Sequence, residues 1–169
     1  DTSTIHWKSW FVKYNTNVYT ILTNHQISPN YNTTGDPFFS PLDFLVTPDS
    51  GYIFIATTAS NTLKDIAVVK LNKNGEEEWS KTYGNVYDDV VYNIIHDGDN
   101  YIICGTTNLN NQSQTSTISS LYLFSIDSIG NQLWSYVAPQ EEDILIAHDI
   151  VKTNDGGYII PSAIKTGII

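Results

Sequence analysis

The sequence has no arginine and no methionine, one cysteine, and only 15% charged residues in 169. All eight basic residues are lysines, and the formal net charge is -10. Nucleic-acid binding and clamping of phosphate both depend on a basic surface and usually on arginine, so neither is expected. No apolar run approaches the roughly 18 residues that span a bilayer. Because the chain begins at Asp1 and has no methionine, we expect it to be processed, excised or truncated, with any signal peptide already removed.

The remaining composition favours a secreted or cell-surface protein. Asparagine, threonine, serine and tyrosine are abundant while charged residues are scarce. The sequons at Asn32 and Asn111 are candidate glycosylation sites in polar segments. The single cysteine, Cys104, cannot form an internal disulfide, and its apolar neighbours predict a small buried side chain.

The strongest feature of the sequence is an internal repeat of about fifty residues. Three segments place a tyrosine and an apolar run after a turn, and two further segments share a tryptophan four residues after a glycine. The anchors of this repeat are Tyr52, Tyr101, Tyr158, Trp79 and Trp134. A fixed period of this length is typical of repeat architectures in which neighbouring units bury a common core.

Each unit reads as four short strands; those of the second are predicted near 90–96, 101–107, 120–126 and 132–138. Turn residues such as Asp, Asn and Gly separate runs rich in Val, Ile, Tyr and Phe. The runs Ile66–Val69 and Leu121–Phe124 are apolar at every position, which indicates burial on both faces. The fold is therefore predicted to be all-β, made of stacked four-stranded sheets, as in the blades of a β-propeller.

The motifs DGGYII, D-x-x-G-x-x-x-W at 127–134, and WSKTYG with Asp88-Asp89 resemble the β-propeller repeats of secreted prokaryotic proteins. The resemblance covers 39–169. The D-x-x-G-x-x-x-W stretch is also similar to the tryptophan-docking motif of quinoprotein propellers, which implies a structural tryptophan packed between blades. We therefore expect Trp79 and Trp134 to occupy equivalent positions and both to be largely buried.

The repeats divide into complete units at 39–89 and 90–143 and a partial unit at 144–169. Closed propellers have about four to eight blades, so these units do not close a ring. The N-terminal segment 1–38 contains strand-like runs that can close or link the repeats. Three alternatives stay open: a fragment of a longer propeller, completion by other subunits, or a compact β fold that is not a propeller.

No residue pattern predicts a catalytic site. The four histidines form no zinc-binding pair, and no G-x-S-x-G elbow is present. Asp97 and Asp99, on either side of Gly98, are weak calcium candidates, because calcium prefers carboxylate oxygens in loops. We expect no cofactor, no nucleic acid and no membrane span.

The leading functional hypothesis is a non-enzymatic interaction or structural module, extracellular or at the cell surface, within a larger protein or assembly. Its partners would be proteins or glycans, and open blade edges would allow self-association. One alternative is a secreted propeller enzyme acting on glycans or a quinoprotein-like oxidoreductase. A second alternative is a subunit of a surface filament or sheath joined by strand exchange.

Overall fold

The computed structural model describes residues 9–15, 20–27, 40–58, 63–108, 119–139 and 144–165. Within these ranges the chain is all-β, with fourteen strands and no helix. Accordingly, the described residues include no helix of the length and apolar character that a membrane span requires. An N-terminal hairpin pairs β1 (Ser9–Asn15) with β2 (Thr20–Ile27).

Two antiparallel four-stranded sheets follow, each with its strands side by side in chain order. Sheet A consists of β3 (Ser40–Val46), β4 (Tyr52–Thr57), β5 (Ile66–Leu71) and β6 (Glu77–Tyr83). Sheet B consists of β7 (Asp89–Asp97), β8 (Asn100–Asn108), β9 (Ser119–Ile126) and β10 (Gln132–Val137). The four strands predicted for the second unit are confirmed to within one or two residues at each end.

The last described segment is one hairpin whose two strands are each interrupted; we call it hairpin C. Its outer part pairs β11 (Ile144–Ala147) with β14 (Ser162–Lys165), and its inner part pairs β12 (Val151–Lys152) with β13 (Tyr158–Ile159). At the interruption, the amide of His148 donates to the carbonyl of Pro161 across 3.0 Å. Hairpin C therefore continues across the interruption as one antiparallel pair of strands.

The hairpin turns repeat between units in atomic detail. In sheet A the turn before β6 has Asn72 bonded to Glu76 and Gly75 bonded to Asn72; in sheet B Asp127, Asn131 and Gly130 make the same two backbone bonds. Gly75 and Gly130 have φ of 87° and 77°, a left-handed conformation that glycine adopts without strain. The side-chain oxygen at the first turn position, from Asn72 or Asp127, accepts two backbone amides in both copies.

The sheets stack face to face, as the apolar runs predicted. Ile66 and Val68 point from sheet A into a core shared with sheet B, while Val69 points to the opposite face. In sheet B, Phe124 points into the shared core and Leu123 points toward hairpin C. Burial on both faces of β5 and β9 is thus confirmed. Successive side chains of a strand point to opposite faces of the sheet, and in these two strands the side chains on both faces are packed.

The tyrosines at the three repeated positions all lie in apolar clusters. Tyr101 joins the core between sheets A and B, and Tyr158 packs on the cluster between sheet B and hairpin C. Tyr52 belongs to the cluster on the far face of sheet A. In each unit the tyrosine therefore faces the side that precedes it in the chain.

Candidate functional site

A cleft lies between sheets A and B, at the end of each sheet where the hairpin turns are. Its volume, about 620 Å³, is within the usual range of ligand pockets. Sheet A contributes the turn before β4 and the start of β6, and sheet B contributes the turns before β8 and β10. The lining residues are Pro48, Asp49, Lys70, Glu78, Trp79, Asp99, Tyr101, Ser128 and Ile129. The lining includes three carboxylates and one ammonium group, so the cleft carries net negative charge.

Lys70 is the buried charge in this cleft, with its side chain 3% exposed. Its Nζ donates to Asp49 Oδ2 at 2.8 Å, to Glu78 Oε2 at 2.7 Å, and to the Leu71 carbonyl at 3.2 Å. Burial alone would lower the pKa of Lys70, but the hydrogen bonds to Asp49 and Glu78 outweigh it and raise the pKa. The amine stays protonated and fully bonded, which suits a structural cation and not a base or nucleophile.

Asp49 connects this cation to the turn between β3 and β4. Its Oδ1 accepts hydrogen bonds from the Thr47 hydroxyl and from the Gly51 amide, the latter at 3.0 Å. Hydrogen bonds from Lys70 and then from Thr47 lower the pKa of Asp49 to about 2. The carboxylate is therefore charged over the whole physiological range.

Acid should weaken the fold through this contact. A carboxyl group with a lowered pKa stabilises the folded state above its ordinary pKa of 3.8, and this contribution is lost as the pH falls toward about 2. We expect Asp49→Asn to remove part of the stability loss between about pH 4 and pH 2, measured by urea unfolding at each pH. The effect is small, because the Asp49 side chain is 56% exposed and the pair is screened by solvent.

Asp99→Asn is the matched control, since it removes a carboxylate from the same cleft without touching Lys70. This role for Asp49 would be contradicted if the wild type and the Asp49→Asn variant lost the same free energy of unfolding between pH 4 and pH 2. Asp97 also has a lowered pKa, through hydrogen bonds from Lys152 and then Tyr158, so part of the acid sensitivity must remain in both variants.

The two calcium candidates, Asp97 and Asp99, differ in their contacts. Asp97 forms an ion pair with Lys152 and accepts a hydrogen bond from the Tyr158 hydroxyl at 2.6 Å, so both of its oxygens are bonded. Asp99 is exposed at the cleft. Within the described ranges, no three histidine, cysteine or acidic side chains are grouped so that they could hold a metal ion. The positive φ of Gly98, 64°, fits these residues to a tight hairpin.

Cys104 is completely buried beneath hairpin C, as the sequence predicted. Burial first, and the nearby charge of Asp149 second, raise the pKa of its thiol to about 12. Since the thiolate is the reactive form, this cysteine is a packing residue. The glycosylation candidates Asn32 and Asn111 lie outside the described residues.

Trp79 of sheet A packs against the turn between β9 and β10 of sheet B. A methyl group built at Gly130 would lie 2.9 Å from Cζ3 of Trp79 and 3.0 Å from Cδ of Lys81, so the turn and the ring are in direct contact. The Gly130 carbonyl accepts a hydrogen bond from the Tyr83 hydroxyl at 2.7 Å and another from Lys81 Nζ at 2.9 Å. We call this contact the docking of Trp79.

Trp134 stands at the equivalent place in sheet B but is not docked. Its side chain is 41% exposed, and Tyr136, two residues further along the same face, is 50% exposed. The expectation that both tryptophans are largely buried is wrong for Trp134, and Trp79 is only partly buried. The physical reason is that no turn equivalent to that of Gly130 faces Trp134 in the described part of the chain, where hairpin C supplies a two-stranded element and not a four-stranded sheet.

The two tryptophans should therefore respond unequally to truncation. Trp79→Ala removes a docked ring and should lower the free energy of unfolding by about 2 kcal/mol, below the full cost of a completely buried tryptophan. Trp134→Ala should cost less than about 0.5 kcal/mol, as for other exposed positions. Urea unfolding of the two variants side by side measures the difference, and equal losses would contradict the docking of Trp79.

The sequence reasoning missed Lys70 and its two carboxylates as a group. The signal was a lone lysine inside an apolar strand, followed by a run of glutamates across the next turn. Neither the models of known protein families nor the curated proteins match this sequence.

Proposed function

We propose that the chain is a non-enzymatic structural and interaction module made of β-propeller-type repeats, which works within a larger extracellular or cell-surface protein or assembly. The docking of Trp79 on Gly130 carries this proposal. It is a specific contact between successive units, and the next unit carries the same tryptophan exposed. In a module whose repeats stack on one another, each unit carries the surface that the next unit covers.

The sheet geometry supports the propeller type of stacking. Inner strands of neighbouring sheets meet: the Ile94 amide donates to Asp43 Oδ2 at 3.1 Å, and Nε2 of His96 lies 2.9 Å from the Val46 carbonyl. The outer strand β10 is exposed along its whole length. Antiparallel sheets stacked in chain order, with first strands inside and fourth strands outside, are the arrangement of propeller blades.

The chemistry of the cleft supports a module over an enzyme. Asp49 and Glu78 are both bonded to Lys70, which holds them as counterions of a buried cation. A pair of carboxylates that works as acid and base needs environments that separate their pKa values and leave an oxygen facing substrate. The acidic, tyrosine-rich and lysine-poor composition supports an extracellular setting with protein or glycan partners.

The native mass of the chain tests this function. We expect light scattering of material purified from its natural source to give a mass well above 18.9 kDa, because the repeats continue or partners are bound. The recombinant 169-residue chain is the control. A natural species of 18.9 kDa that turns over a glycan or a quinone-dependent substrate would contradict the proposal and favour an enzyme.

A further inference from the structure

Trp134 and Tyr136 together form an exposed aromatic strip on the outer part of sheet B. Both point toward the side of hairpin C, because Tyr136 pairs with Leu123, which packs in the cluster beneath that hairpin. The strip is thus continuous with an interface that the chain already makes. Hairpin C covers the inner part of this face and leaves the strip open.

The equivalent face of sheet A shows what such a strip binds. There the docked ring is Trp79, and Lys81 and Tyr83 donate to one carbonyl, that of Gly130. Tyr136 lies two residues beyond Trp134, as Lys81 lies two beyond Trp79, and its hydroxyl is a donor that can take the place of the Lys81 ammonium. The strip is therefore complementary to a glycine turn that exposes a carbonyl.

We propose that this strip is a docking surface for a β-hairpin from outside the 169 residues, which supplies the third and fourth strands of the third unit. Its turn has the form Asp or Asn-x-x-Gly, and its third strand pairs with the outer edge of β13 and β14. The proposal rests on the proposed function and names the partner that this function needs. Its physical basis is burial of two aromatic side chains together with one or two hydrogen bonds to the turn.

A second copy of the chain is the less suitable occupant. Its Gly130 turn is already engaged by its own Trp79, Lys81 and Tyr83, so the carbonyl that the strip would bind is taken. Its other turn of this form, at Asn72-x-x-Gly75, has the glycine buried within its own chain. Within a single copy the strip stays open, with Trp134 and Tyr136 41% and 50% exposed in the presence of the whole chain. A hairpin from outside the 169 residues brings a turn that is not already bound.

The test is a fusion that supplies the missing hairpin. Residues 66–83, the sheet A hairpin with its Asn72-x-x-Gly75 turn, are appended after Ile169 through a linker of about four residues, a common length for connections between strands. Hydroxyl-radical footprinting with mass spectrometry then measures the modification of Trp134 separately from that of the other tryptophans. We expect modification of Trp134 to fall at least about threefold in the fusion, while exposed Ile129, on the turn of sheet B, is unchanged.

A stability measurement provides the second arm. Trp134→Ala should change the unfolding equilibrium constant less than about threefold in the parent and more than about tenfold in the fusion, since coupling appears only between residues in contact. Val137→Ala is the matched control: Val137 is 37% exposed and pairs with Tyr122, which lies in the core between sheets A and B, so it faces away from the strip and should respond equally in both proteins. A fusion whose appended turn carries Gly75→Val should behave as the parent.

Three outcomes overturn the docking surface. Trp134 can be equally modified in parent and fusion, Trp134→Ala can have the same effect in both, or the parent can dimerise with Trp134 protected, which makes a second copy the occupant. These results are independent of the native mass in the natural source. Failure of the fusion with a high native mass overturns the docking surface alone, and success of the fusion with an enzymatically active monomer overturns the interaction function alone.

Discussion

Replacing Phe124 with alanine should lower the free energy of unfolding by about 3–5 kcal/mol, the usual cost of deleting a completely buried aromatic ring. Phe124 is 0% exposed in the core between sheets A and B. Its ring stacks on Tyr83 of sheet A at a centroid distance of 5.1 Å and on Tyr122 of its own sheet at 5.2 Å. The substitution therefore opens a cavity at the junction of the two sheets, where both would have to move to fill it.

The control for this prediction is the same substitution on the surface. Phe44 is 55% exposed, and its ring stacks on that of Phe54 at 5.6 Å. Phe44→Ala should cost less than about 1 kcal/mol. Urea unfolding followed by circular dichroism compares the two variants, and similar losses would mean that sheets A and B do not share a core.

Replacing Gly130 with alanine should lower the free energy of unfolding by about 2–5 kcal/mol, from two separate sources. A left-handed backbone costs a residue with a Cβ about 1–2 kcal/mol, and Gly130 has φ of 77°. The new methyl group would also lie 2.9 Å from the Trp79 ring, and overpacking of this kind costs about 1–3 kcal/mol. The second part is the cost of disturbing the docking of Trp79.

Gly98→Ala separates the two sources. Gly98 lies in the same sheet with φ of 64°, and no atom lies within 4 Å of a methyl group built there. It should lose only the backbone part, about 1–2 kcal/mol. In a Trp79→Ala background the excess cost of Gly130→Ala should fall, and the contact with Lys81 Cδ at 3.0 Å accounts for what remains. An excess that is unchanged would contradict direct contact between the turn and the ring.

The strands and turns of this protein could be predicted because their signals are local. Ile66–Val69 has no polar position, which only burial on both faces accommodates, and all four residues are buried. Gly75 and Gly130 follow Asn72 and Asp127 at the same spacing, and they form the same turn. Composition and spacing were sufficient for such features.

The state of Trp134 could not be predicted, because it depends on what lies opposite. Trp79 and Trp134 have the same local sequence context, yet only Trp79 meets the turn of a following sheet. Lys70 was missed for a related reason. Its partner Asp49 is 21 residues away and is brought near by the pairing of β4 with β5, which the local pattern does not encode.

Cys104 gives the protein an intrinsic chemical reporter. It is the one sulfur atom in a sequence that has no methionine, and it lies under Ala147 and Ile150 of hairpin C. A thiol reagent can reach it only when that hairpin lifts from sheet B, so the rate of labelling measures the free energy of this local opening. Opening of hairpin C can thus be followed separately from global unfolding, in the unmodified protein and without any introduced probe.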